Sequence, residues 1–240
     1  MNKIITLFSM MLFASIISAQ CDAEFDYGNT VTMSGTPPQI MITGVIDGPL
    51  SGGVPKAIEF VVLEDIADLS IYGFGSANNA GGSDGEEFTF PAVSASVGDY
   101  IHVASEQPQF MSFFGFDPDY TDGAANINGD DSMELFCDGQ VIDVYGVVGT
   151  DGSGEDWEYQ DGWAYRNDAS LCPSATFDIT EWTLSGPNAL DGETSNATAA
   201  TPFPIESYAG TGCTAGGGAG CTDAVTVYGR NEYYNIRRGR

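Results

Sequence analysis

The stretch "INGDDSMELFCDGQVIDVYGVVGTDG", Ile127 to Gly152, decides the fold. Two short apolar runs flank Asp138-Gly139, a two-residue turn that favours a tight β-hairpin because glycine tolerates positive φ. The register that follows sets Cys137 opposite Gln140, Phe136 opposite Val141, Leu135 opposite Ile142 and Glu134 opposite Asp143. Met133, Leu135, Ile142 and Val144 then share one face, the expected core face, and Cys137 falls on it too. Glu134 and Asp143 meet on the other face, where like charges repel. Solvent, a metal ion or Arg166 would relieve that repulsion. Solvent or Arg166 is the expectation, since a charged strand face is ordinarily hydrated. Arg166 is the only Lys or Arg between Lys56 and Arg230. Two carboxylates also suffice for a glycosidase dyad, but neighbouring cross-strand positions offer no evident cleft.

Working outward, residues 40–208 read as short strands punctuated by Gly, Asp, Asn and Pro, the all-β pattern. "QIMITGVIDG" opens it. "KAIEFVVLE" follows, with Ile58, Phe60 and Val62 on one face, then "DLSIYGFGS", the polar loop "ANNAGGSDGEE" and "EFTFP". In "VGDYIHVAS", Ile101 and Val103 share a face, which puts His102, the single histidine, on the expected solvent face. "PQFMSFFGF" is the one helical turn expected, and "WAYR" and a segment around Trp182 close the series. The fold class is therefore all-β, a sandwich followed by a flexible Gly-rich C-terminal tail.

Residues 1–19 read as a secretory signal: Lys3, an apolar middle from Ile4 to Ile17, then Ser18-Ala19 as a small cleavage site. The expected divisions are signal peptide 1–19, an N-terminal segment 20–38, the sandwich 39–208, and a Gly-rich linker with a basic tail over 209–240. An exported product without a membrane span follows from this reading. With 34 acids against 7 Lys and Arg, the formal charge is −27, which argues against nucleic acid as a ligand and suits basic partners or divalent cations. Five cysteines in an exported chain point to disulfides. Cys213 and Cys221 flank a glycine-rich stretch that can close on itself. Cys137 and Cys172 would then be the natural pair inside the sandwich with Cys21 left over, and other connectivities stay open.

The acids of "DPDYTDGAANINGDD" are the candidate metal ligands: Asp117, Asp119, Asp122, Asn128, Asp130 and Asp131. Calcium takes six to eight oxygens from such a loop, but turns favour Asp and Asn for backbone reasons alone, and no cofactor is expected. A Ser-His-Asp triad would have to use His102, and no nucleophile motif accompanies it, so no catalytic residue is assigned. Trp157, Trp163 and Trp182 suit either core plugs or a sugar-stacking platform. Asn196-Ala197-Thr198 matches the glycosylation triplet.

The order of these motifs resembles a lamin tail domain of the exported bacterial type. The family's opening is similar to "IMITGVIDGPLSGGVPKAIEFVVLEDIADLSIYGFG", and "VGDYIHVAS" looks like its next strand. The stretch quoted first is the best match, and "GWAYR" and "ITEWTL" fall where the last strands stand. The resemblance implies an immunoglobulin-like sandwich with no catalytic residues to transfer. It points to a secreted, non-enzymatic module that binds an extracellular protein or glycan. Its alternatives are an accessory domain of an extracellular nuclease and a calcium-stabilised carbohydrate-binding module. The "ANNAGGSDGEE" loop and the Cys137/Cys172 pair depart from the general family pattern.

Overall fold

The computed structural model describes residues 38–170 and 172–210, together with the backbone of 227–230 and 233–236. In the first of its two units, ten strands form two sheets. These are β1 (Ile40–Leu50), β2 (Val54–Val62), β3 (Tyr72–Ala77), β4 (Phe88–Thr89), β5 (Tyr100–Ala104), β6 (Tyr120–Thr121), β7 (Ser132–Cys137), β8 (Gln140–Tyr145), β9 (Gly162–Arg166) and β10 (Trp182–Leu184). One sheet runs β10-β9-β1-β2-β5-β6, the other β4-β3-β7-β8. The pairings are antiparallel except β5 with β6. In the second unit, strands β11 (Val227–Arg230) and β12 (Tyr233–Ile236) pair as a hairpin, inside the stretch the sequence presented as linker and tail.

The core between the sheets takes alternate residues from both. Ile40, Ile42, Val45, Ile58, Phe60 and Val62 come from β1 and β2, and Phe74, Met133, Leu135, Cys137, Ile142 and Tyr145 face them from the other side. Alternation in β1 changes phase at Thr43, where the register with β2 slips between Ile42 and Gly44. The slip turns Val45 inward and leaves Gly44 on the outer face. There a Cβ would stand 2.5 Å from the Phe203 ring, so only glycine fits.

The six-stranded sheet is covered on its outer face as well. Met41, Ile46, Ala57, Val61 and Ala104 project there against Phe110 and Phe113 of helix α1 (Gln107–Phe114), and against Leu190, Phe203 and Tyr208 of the C-terminal wrap. The helix is the expected helical turn. Glu106 caps its start by accepting from the Gln109 amide, and Gly115 ends it in the left-handed region at φ 88°. This second cover explains why "IMITGVI" and "AIEFVV" are almost continuously apolar: strands buried on both faces lose the polar alternation.

Three sequence expectations change in the fold. The hairpin turn is as expected, with positive φ at Asp138 (48°) and Gly139 (75°), and Cys137 pairs with Gln140 and Phe136 with Val141. Beyond that, a bulge at Ile142 shifts the register by one, so that Leu135 faces Asp143, Glu134 faces Val144 and Met133 faces Tyr145. Tyr145 rather than Val144 joins the core, and Asp143 turns from the expected solvent face into the interior, where it is 0% exposed. His102 is likewise not on a solvent face but 3% exposed, because α1 and the C-terminal wrap cover its side of the sheet. The third change concerns the aromatic platform. Trp157 and Trp182 belong to the inner core and Trp163 to the outer one, so the three indoles do not form an exposed stacking surface.

Candidate functional site

The charges of the sandwich unit are distributed unevenly. Lys56 and Arg166 are its only Lys and Arg, and both are buried, at 6% and 2% exposure. Each sits inside a network that joins distant elements.

Asp143 and Arg166 join the two sheets. Arg166 Nη2 donates to both Asp143 oxygens at 2.8 and 2.9 Å. The Ile42 and Ser174 amides also donate to the carboxylate, each at 2.9 Å, and the Val144 amide adds to them. The guanidinium also donates to the Ile42 carbonyl, Ser170 Oγ and Glu181 Oε2, and its Cζ lies 4.4 Å from the Trp182 ring centroid. Burial pushes the Asp143 carboxyl up, while Arg166 and the amides pull it down. Arg166 does pair with Asp143, but on the inside of the sandwich, and the Glu134–Asp143 opposition it was expected to relieve does not form, because Glu134 faces Val144.

Glu59 forms the second network, under the C-terminal wrap. It faces His102 directly across the β2–β5 pair. One carboxylate oxygen accepts from Tyr165 OH at 2.6 Å and from Thr43 Oγ1 at 2.8 Å; the other accepts from the Glu206 amide at 2.7 Å and meets His102 Nε2 at 3.2 Å. Asp119 closes the far side, 3.5 Å from His102 Nδ1, and accepts from the His102 amide at 2.8 Å. Burial lowers the imidazole pKa, but hydrogen bonds to Asp119 and Glu59 outweigh it and raise the value to about 9, so His102 is a cation at neutral pH. Phe110, Phe114, Phe203 and Ile205 close over Glu59 and His102 and leave no room there for a water-sized guest. A carboxylate–imidazole–carboxylate array can relay protons, but here it is packed against side chains and fastens the wrap and the 117–122 loop to the sheet. The sequence carried one sign of this network: Glu59 stands alone between Ala57 and Val61 on an otherwise apolar outer face.

The third network holds the loop that opens the quoted stretch. Lys56 Nζ donates to Asp47 Oδ1 at 2.8 Å, the Ile127 carbonyl at 2.6 Å and Asn128 Oδ1 at 2.8 Å. Asp47 Oδ2 accepts from the Gly129 and Asp161 amides. An ammonium thus stands where the sequence invited a metal ion.

The six candidate calcium ligands are accordingly dispersed. Asp117 accepts from Gln107, Asp119 serves His102, and Asp122 caps a short turn at the Ala124 amide. Asn128 serves Lys56, Asp130 accepts from Ser153 Oγ, and Asp131 accepts from the Asn79 and Asn128 amides. Among the described residues no group of three or more His, Cys, Asp or Glu is gathered to hold a metal. Calcium is therefore expected to raise the melting temperature no more than magnesium does at equal ionic strength. Asp119→Asn should lower stability without added ion, because it weakens the His102 contact. A saturable, calcium-selective rise abolished by Asp119→Asn and Asp122→Asn would reverse this reading.

Of the cysteines, Cys137 is buried in the core, Cys172 is half-buried, and both are disulfide-bonded. Cys21, Cys213 and Cys221 lie outside the described residues. Peptide mapping should find Cys137 joined to Cys172, and a Cys137 peptide bonded to Cys21 or Cys213 would reject that pairing. Asn196 of the glycosylation triplet is 9% exposed; its Nδ2 donates to the Phe203 carbonyl at 3.0 Å and its Oδ1 accepts from the Phe203 amide at 2.8 Å. The amide is committed to holding the wrap and is not offered to a glycosylating enzyme on the folded chain.

No helix among the described residues is long and apolar enough to cross a membrane. Comparison with family models, with curated proteins and with solved structures finds no match for this chain.

Proposed function

We propose that residues 38–210 form a secreted, non-enzymatic binding module, an immunoglobulin-like sandwich of the lamin tail type, that engages a basic extracellular partner through its acidic exterior. The observation that carries this reading is the placement of charge. The unit's Lys and Arg are both drawn into interior ion pairs, so the Lys, Arg, Asp and Glu side chains it exposes are acidic alone. A surface of one sign attracts the opposite sign at long range and does so in a salt-dependent manner. The Glu59–His102–Asp119 array and the two other networks are consumed in fastening layers, which supports a scaffold role for the interior and a recognition role for the outside.

The test is a binding screen of the purified protein against basic proteins, neutral proteins and glycans, with and without calcium, across a salt series. Binding to basic proteins that weakens steeply with salt and ignores calcium is the expected result. Hydrolysis of a glycan or nucleic acid by the pure protein, lost on changing a named acid, would overturn the reading. Calcium-dependent glycan binding would overturn it as well.

A further inference from the structure

A primary amine, a carboxamide and a carboxylate meet at Lys56, Asn128 and Asp47. Lys56 Nζ lies 2.8 Å from Asn128 Oδ1 and 2.8 Å from Asp47 Oδ1, with a third contact to the Ile127 carbonyl at 2.6 Å. The Lys56 and Asp47 side chains are 8% and 7% exposed, so water competes little for either. The backbones that carry the three groups are held in place. Lys56 and Asp47 are paired directly across β1 and β2. The Asn128 backbone is held by its amide hydrogen bond to Asp131, and Gly129 is so closely packed that a Cβ there would fall 1.9 Å from the Gln160 nitrogen.

We propose that Lys56 and Asn128 are placed to condense into an intramolecular isopeptide bond, with Asp47 carrying the proton. Across its 2.8 Å hydrogen bond, Asp47 takes one proton from the ammonium and frees the Nζ lone pair. Nζ attacks Asn128 Cγ, the Nζ–Cγ bond forms and the Cγ–Nδ2 bond breaks. The second amine proton goes to the departing nitrogen, which leaves as ammonia, and the proton on Asp47 follows it out as ammonium. No oxidant or reductant is involved, and the net change is the loss of one ammonia. Holding the reacting groups in contact supplies the proximity that makes an ordinarily very slow transamidation feasible. A rival reaction at the same residue is disfavoured. The Gly129 nitrogen, which would attack Asn128 Cγ to give a cyclic imide, donates its hydrogen to Asp47 Oδ2 at 3.1 Å and is fixed by its packing.

The bond would tie β2 covalently to the loop that leads into β7, a cross-link suited to a module that works outside the cell. The inference does not depend on the proposed binding role. The experiment is intact-mass measurement and peptide mapping of the reduced, alkylated full-length chain, fresh and after long incubation in mildly alkaline buffer. Expected is a mass lower by one ammonia and a branched peptide containing Lys56 and Asn128. Both should be lost in Asn128→Ala, whose side chain is at an exposed position, and in Asp47→Asn. A Lys56 peptide that stays linear in the incubated wild-type protein overturns the proposal, whether the mass is complete or the deficit lies elsewhere. A linear Lys56 peptide beside an imide at Asn128-Gly129 counts equally against it.

Discussion

Replacing Arg166 by Met is expected to destabilise the sandwich by about 3–5 kcal/mol, the usual loss when a buried ion pair is broken from one side. Asp143 is 0% exposed and would keep its carboxylate among Ile42, Ser174 and the core, with only backbone amide donors left and no cation. The Ile42 carbonyl, Ser170 and Glu181 would lose a donor in the same step. Arg166→Lys should fall between wild type and Met. One ammonium cannot reach Asp143, Glu181 and the Ile42 carbonyl together, nor lie flat on Trp182. Adding Asp143→Leu to Arg166→Met should recover part of the loss, since an apolar pair removes the stranded charge. Urea denaturation of the four proteins measures this. A loss below about 1 kcal/mol for Arg166→Met would place the pair among ordinary surface bridges and contradict its interior position.

The second large effect is a loss of stability on the alkaline side. His102 titrates near 6.5 when exposed and near 9 in the folded protein, so the folded state holds its proton more tightly than the unfolded state does. The contribution is therefore complete below about pH 6.5 and fades as pH rises to and through 9. It amounts to about 3 kcal/mol, at 1.36 kcal/mol for each unit. Asp119 behaves in the opposite sense. Burial raises its carboxyl, but the stronger pull of His102 leaves it below the ordinary carboxylate value, so its share is lost only when acid protonates it. Stability curves from about pH 6 to 9, below the range where the tyrosines raised by burial begin to count, should decline in the wild type and stay much flatter in His102→Gln, whose absolute stability is lower at neutral pH. Parallel curves for the two proteins would mean that the imidazole is not the titrating group. The Glu206 amide and Tyr165 join the wrap to Glu59, so hydrogen exchange at 203–208 should quicken before the rest of the domain as pH rises.

The amino-acid order by itself determined the strand series, the Asp138-Gly139 hairpin, the single helix and the core faces of β2 and β5. Each of these rests on local physics: a turn that needs positive φ, a side-chain alternation with a period of two, a glycine that ends a helix. Cys137 facing the core belongs with them. What the tertiary structure decided depends on contacts between residues far apart in the chain. The bulge at Ile142 has no local signature, and it converts Asp143 from an expected surface acid into the buried partner of an arginine 23 residues away. The outer cover of the six-stranded sheet comes from α1 and from residues 190–208, and only that cover makes His102 an interior cation. The acids around Asp119 and Asn128 looked like one metal-binding group because they are neighbours in sequence. In space they are drawn apart, one to an imidazole on β5 and the other to an ammonium on β2. Composition supplies the charges, but which of them meet is fixed by the packing of layers, because a buried charge must find its partner wherever the fold brings one within reach.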